Sequence, residues 1–110
     1  MKKINIVRRS KDFTRIIKKR EGQANKYFIV NKEKTEAAVP KFGITFVKNI
    51  GNAVTRNKLK RQVKSIIDNQ KNIYENYYNY IIIIRKDSLL ISYQEMEENL
   101  VRLFLKLKEK

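Results

Sequence analysis

Apolar residues recur along this chain in two rhythms, one spaced as in helices and one alternating or continuous as in strands. Phe13, Ile16 and Ile17 fall at i, i+3 and i+4 behind Ser10, a residue suited to an N-cap, and Asp12, which favours a positive first turn. A short amphipathic helix is expected there, fraying around residues 18–22. Residues 26–31 and 41–47 alternate as strands do: Phe28 and Val30 share one face with Phe42, Ile44 and Phe46 if the two strands pair. The opposite face then shows Tyr27, Ile29 and Asn31 beside Gly43, Thr45 and Val47, too apolar for a random surface and too polar for deep burial. Residues 31–40 between the strands are charged and end in the only proline, so they read as a connecting loop in which Glu33 and Glu36 are loop charges.

The second half repeats the contrast. A helix is expected over residues 52–69, with Leu59, Val63, Ile66 and Ile67 on one face. Residues 70–79, rich in Asn and Tyr, read as a loop, although Ile73, Tyr74, Tyr77 and Tyr78 would also allow the helix to continue. Residues 80–85 are apolar on both sides, as in a central strand, and residues 86–91 turn the chain. Ser92 and Glu95 form a capping box ahead of a last helix, whose apolar stripe is Tyr93, Met96, Leu100, Leu103, Phe104 and Leu107. The order αββ(β)αβα, with room for one further short strand, indicates an α+β fold in which helices pack on a mixed sheet as a two-layer α/β sandwich. No repeat or linker divides the chain, so residues 1–110 are expected to form a single domain.

Charge turns this pattern toward function. The formal net charge is +15, and its distribution is one-sided: residues 1–64 hold 19 Lys and Arg against 4 Asp and Glu, while residues 65–110 hold 7 of each. Solubility does not require such asymmetry, so a polyanionic partner is indicated, nucleic acid ahead of a membrane surface. The longest aliphatic run, residues 81–84, is far too short to span a bilayer, and the basic start lacks the apolar segment of a secretory signal. A cytoplasmic location is expected. The absence of Cys and His excludes disulfides, the usual zinc sites, thiol catalysis and imidazole acid–base chemistry. Carboxylates remain, but Glu95, Glu97 and Glu98 stand at the start of the last helix, where they suit its dipole, and no acidic pair lies near the basic segment. No catalytic residue and no metal site are therefore assigned.

The basic segment itself has a defined geometry. At about 100° per residue, Arg56, Asn57, Lys60, Arg61 and Lys64 fall within an arc of about 140°, apart from the apolar face. Gly51 permits a sharp turn and Asn52 can cap the helix, which brings its first unpaired N–H groups near the cations. The bland alternative is a solvated helix face. Against it stand the planar forks of Arg56 and Arg61, the point charges of Lys60 and Lys64 one turn apart, and an amide at Asn57 able to meet a sugar or a base edge.

The run Gly51 to Lys64, G-N-A-V-x-R-N-x-x-K-R-x-x-K, resembles the signature helix of the bacterial ribonuclease P protein subunits, small basic partners of a catalytic RNA. Ser10-Lys-Asp-Phe13, Ala24-Asn-Lys-Tyr-Phe28, Phe42-Gly-Ile-Thr45 and Tyr80-Ile-Ile-Ile-Ile-Arg85 resemble other family segments in family order, so nearly the whole chain is covered. Three positions depart from the pattern: Asn49 stands where a second basic residue is usual, Lys64 replaces a usual Arg, and Asn31 occupies a place that is aromatic in some members. The resemblance implies a ribosomal-protein-S5 domain-2-like fold, with a left-handed crossover through the basic helix against the general right-handed rule. It implies that Lys48, Asn52, Arg56, Asn57, Lys58, Lys60, Arg61 and Lys64 face the catalytic RNA. It further implies that the single-stranded 5′ leader of precursor tRNA lies in a cleft between the sheet and the basic helix, touched by Phe13, Ile17, Tyr27, Asn31 and Thr45. Tyr27 would stack on a base and Thr45 would reach a phosphate, while Phe13 and Ile17 are equally suited to the core.

On this reading the protein is the non-catalytic subunit of an endoribonuclease that removes the leader in tRNA 5′ maturation. Hydrolysis belongs to the RNA and requires Mg²⁺, with no cofactor held by the protein and one protein per RNA. The rival from another class is a structural RNA-binding protein, such as a ribosomal protein on a similar fold, which would use the same stripe without a leader cleft. A cationic module for membranes or acidic proteins is disfavoured, because the apolar helix faces are needed inside.

Overall fold

The computed structural model describes residues 10–19 and 22–108. Elements follow in the order α1 (Ser10–Lys18), β1 (Gly22–Ala24), β2 (Phe28–Lys34), β3 (Phe42–Phe46), α2 (Ala53–Asn69), β4 (Tyr78–Ile84) and α3 (Tyr93–Lys108), with one 3-10 turn at Lys86–Leu90. The sheet order is β1-β2-β4-β3; β2 is antiparallel to β1 and β4, and β3 is parallel to β4. The fold is therefore α+β with a mixed sheet, as expected, and the extra short strand is β1.

One face of the sheet carries the main core. Phe28, Val30, Phe42, Tyr80, Ile82 and Ile84 meet Leu59, Val63, Ile66 and Ile67 of α2 and Met96, Leu100, Leu103, Phe104 and Leu107 of α3. Aromatic rings fill its middle: Phe42 stacks on Tyr80 at 5.6 Å between centroids, and Tyr74 meets the edge of Phe42 at 5.0 Å. α3 starts as the capping box predicts: the Ser92 hydroxyl accepts from the Glu95 N–H at 3.2 Å, and the Glu95 carboxylate accepts from the Ser92 N–H at 3.3 Å. Its far end is capped by Lys32, buried on β2, whose ammonium donates to the Leu107 carbonyl at 3.0 Å and lies 4.5 Å from the centre of the Tyr78 ring. The second face is covered by α1, where Ile16 and Ile81 are fully buried and Phe13, Ile17 and Ile83 close around them.

Three expectations need correction. β2 and β3 do not pair, because β4 inserts between them; their apolar residues nonetheless share the core face, since both are in register with β4. β2 runs on to Lys34 through what alternation marked as a charged loop, and Glu33 is a buried strand residue instead of a loop charge. Two strand charges are held by partners distant in sequence, Lys32 by α3 and Glu33 by α1, and no local pattern reports such partners. Residues 70–77 form the expected loop and the helix does not continue; Ile73 is buried and Tyr74 packs on the core, which accounts for their apolar spacing. Finally, β4 starts at Tyr78, two residues early.

Candidate nucleic-acid interface

Local backbone chemistry fixes the start of α2. After β3 the chain turns through Asn49 (φ 63°) and Gly51 (φ 96°), both in the left-handed region that Asn and Gly tolerate best. Asn52 then caps the helix, its Oδ1 accepting from the Thr55 N–H at 3.0 Å. No acidic residue stands in the first turn, so the positive end of the helix is left without an intrinsic counter-charge.

With Leu59, Val63, Ile66 and Ile67 turned into the core, Arg56, Asn57, Lys60 and Arg61 face solvent and Lys64 is half-buried at the edge of the stripe. Lys58, also exposed, lies off the stripe, and Lys48 is exposed in the turn before the helix. Among the described residues none of these cations is held by a carboxylate. The eight positions expected to meet RNA thus make one continuous turn-and-helix surface. Arg85, not singled out in the sequence, adds to that end of the molecule. Its N–H bonds the Tyr27 carbonyl at 2.9 Å, in the row beyond Phe28, Ile84 and Phe46, and its guanidinium donates to the Asn25 carbonyl at 2.9 Å while remaining exposed. Its signal was present, a cation directly after an isoleucine run, but that cation also reads as an ordinary strand end.

The structure has a recess beside several of the residues expected at the leader cleft. It is on the α1 face of the sheet, opposite α2, because α2 buries its apolar side against Phe28, Val30 and Ile82, whereas Ile29, Asn31 and Ile83 point the other way. The recess, of about 320 Å³, is lined by Ile17, Gly22, Gln23, Ala24, Ile29, Asn31 and Ile83. Of the five residues expected to touch the leader, Ile17 and Asn31 line it. Asn31 is only 6% exposed, yet its carboxamide forms no hydrogen bond with the described residues. Thr45 is in register with Ile83 on the next strand, and Phe13 lies further along α1, over Gly43 and Ile81. Tyr27 does not join them and packs against the main core. The reason is an Asx turn: the Asn25 carboxamide accepts from the N–H groups of Tyr27 and Phe28 at 2.9 and 2.8 Å, so Tyr27 sits in a bend before β2 and strand alternation does not reach it.

Glu33 closes the far side of this face. Its carboxylate accepts from Arg15 Nε at 2.9 Å and Arg15 Nη2 at 2.8 Å, and Lys19 Nζ lies 3.1 Å away; Arg15 Nη1 also reaches Asp12 at 2.8 Å. The Arg15 hydrogen bonds hold Glu33 below the usual carboxylate range, and Glu33 in turn raises Arg15. Nothing here resembles an acid–base pair. Burial pushes the Tyr80 phenol up to about 12, and that residue belongs to the core. Among the described residues no group of three or more His, Cys, Asp or Glu could hold a metal ion, and no helix is long and apolar enough to cross a membrane.

The family model for ribonuclease P matches residues 1–108. The chain belongs to the ribonuclease P protein family. It is 38% identical over 101 residues to the ribonuclease P protein component of Streptococcus pneumoniae, an alignment covering 92% of this chain and 82% of that protein. Among solved structures it is similar to a mutant Staphylococcus aureus RNase P protein with defective mRNA degradation activity, with a TM-score of 0.86, 28% identity and coverage of 97% of this chain and 90% of that one. The Thermotoga maritima RNase P protein matches with a TM-score of 0.82 and 28% identity, covering 92% and 96%. Membership of the ribonuclease P family makes this chain a component of that ribonucleoprotein enzyme, with an RNA partner and a role in tRNA processing, and displaces the ribosomal-protein alternative.

Proposed function

We propose that this ribonuclease P protein binds the catalytic RNA through the basic turn and face of α2, and the unpaired 5′ leader of precursor tRNA through the recess beneath α1. The observation that carries the first part is the row of cations on α2, exposed or at its edge and free of carboxylates, beside a capped N-terminus with no acid in its first turn. A phosphate backbone supplies the missing counter-charge, and such contacts position an RNA without reading its sequence. The second part is supported by the recess itself, whose isoleucine walls suit a base plane while the unpartnered Asn31 carboxamide offers a donor and an acceptor to a base edge.

Catalysis then belongs to the RNA, in the cytoplasm, with one protein per RNA. Mg²⁺ bound by that RNA would activate water and stabilise charge at the scissile phosphate. The protein's own residues bind and orient. The test is reconstitution: purified protein added to a bacterial ribonuclease P RNA at low Mg²⁺ should accelerate removal of a 5′ leader. No stimulation over RNA alone would overturn the reading.

A further inference from the structure

Not every cation in the basic first part of the chain is available to RNA. Arg15 on α1 and Lys19 just after its last residue are only about half exposed, 50% and 48%, while the Glu33 side chain between them and the sheet is 9% exposed. Glu33 accepts through both oxygens from Arg15, a forked geometry that fixes direction as well as distance, and it also meets Lys19 one turn further along the chain. Two points of attachment a turn apart set both the angle and the rotation of α1.

The apolar contacts of the helix with the other described residues are modest. α1 has nine residues, too few to be stable alone, and its apolar contacts form a satellite cluster in which only Ile16 and Ile81 are fully buried. Ile17, the residue of α1 that walls the recess, sits between the two cations in sequence, so whatever fixes Arg15 and Lys19 also fixes Ile17 over Ile29 and Ile83.

We propose that Glu33 is a positioning residue for leader recognition: by binding Arg15 and Lys19 it locks α1 across the sheet and withholds both cations from the RNA backbone, so the recess reads an unpaired strand through its walls. This rests on the leader-binding reading above. Replacing the carboxylate by an amide of the same shape then has two consequences at once. The wall loosens, and Lys19 becomes free to bind phosphate while Arg15 keeps only its exposed pair with Asp12.

The experiment compares wild type, Glu33→Gln, Glu33→Asp and the double variant Arg15→Met with Lys19→Met, each assembled with catalytic RNA. Affinity is measured for precursors with a long and with a one-nucleotide leader across a salt series, and amide exchange is followed in α1, with α3 as the control for folding. For Glu33→Gln the long-leader preference should fall several-fold and the α1 amides should exchange faster. The salt slope for the long leader should steepen by about 0.7 for Lys19, and by up to about 1.4 if Arg15 also exchanges Asp12 for phosphate. Glu33→Asp should restore most of the preference. The double methionine variant should loosen α1 without steepening the slope, which separates freed charge from lost attachment. Faster exchange in Glu33→Gln with an unchanged preference and slope would reduce Glu33 to a structural ion pair and overturn the proposal. A wild-type assembly indifferent to leader length would overturn the leader reading itself and this inference with it, whereas a leader-sensitive wild type matched by Glu33→Gln in every measurement overturns the inference alone.

Discussion

Replacing Arg56, Lys60 and Arg61 together by Ala removes three exposed cations from α2 while leaving Leu59, Val63, Ile66 and Ile67 in place. None of the three is in an ion pair with a described carboxylate, so no buried group loses its partner. Exposed substitutions of this kind change stability by about 0.5 kcal/mol or less each, and Ala is at least as good a helix former as Lys or Arg. Binding should respond quite differently. Each phosphate contact contributes about 0.7 to 0.9 to the slope of log K against log salt, so losing three should flatten that slope by about 2 to 2.7. The effect is therefore largest at low salt and shrinks as salt rises. The assay is titration of labelled ribonuclease P RNA at several salt concentrations, with a thermal melt of the free protein alongside. An unchanged slope and affinity, with an unchanged melt, would show that the stripe is only a solvated helix face.

Asn52→Ala removes the side-chain cap of α2 and should cost about 1 kcal/mol in urea denaturation, since Thr55 N–H loses its acceptor at an exposed helix end. Gly43→Ala should disturb α1 specifically: a Cβ there would lie 2.6 Å from the Phe13 ring and 2.7 Å from Ile81, and crowding of this kind costs about 1–3 kcal/mol. The expected result is a weakened preference for long leaders with RNA binding through α2 intact, read by the same leader-length titration. Acid should release α1 through Glu33, whose carboxyl is held below its ordinary value of 4.5. A depressed value means that the stabilisation is fully present above the ordinary value and disappears as pH falls through the folded one. The Ile16 methyl signals in NMR should therefore stay constant from neutral pH down to about 5 and shift only below about 4; a change centred near neutrality would contradict the assignment.

How much of this could be read in the sequence depends on the range of the forces involved. α2 and α3 were legible nearly to the residue because their signals are local: a cap, a capping box and an apolar period of 3.6 all lie within a few turns. The far half of β2 was not. Lys32 and Glu33 look like loop residues until α3 offers the Leu107 carbonyl and α1 offers Arg15, 75 and 18 residues away in sequence. Tyr27 stands apart from the recess for the opposite reason. Its environment is set very locally, by the Asn25 side chain, and that short-range turn overrides the alternation from which its place in the cleft was inferred. That the recess opens on the α1 side of the sheet was not legible, because alternation tells which residues share a face but not which helix covers it.

The register of β4 ties the two surfaces together. Four consecutive isoleucines carry almost no register information, since a shift by one residue would present an isoleucine to either face. What selects one register is their flanks. Tyr80 is committed to the core face by its stack on Phe42 and by its hydroxyl, which accepts from the Glu75 N–H at 3.0 Å; a shifted strand would bring that phenol under α1, where it has neither. Ile81 and Ile83 are thereby turned toward α1, and Arg85 continues their side at the end of the strand. In that same end row Val47 N–H bonds the Ile84 carbonyl at 3.1 Å, just before the basic turn into α2. Tyr80, with Tyr78 on the same face, thus favours the register in which Ile83 walls the recess and the cation beyond it lies at the end of the sheet where α2 begins. The two proposed RNA contacts occupy opposite faces of the sheet, but their relative placement is held by a single strand, so a change at Tyr80 would displace both together.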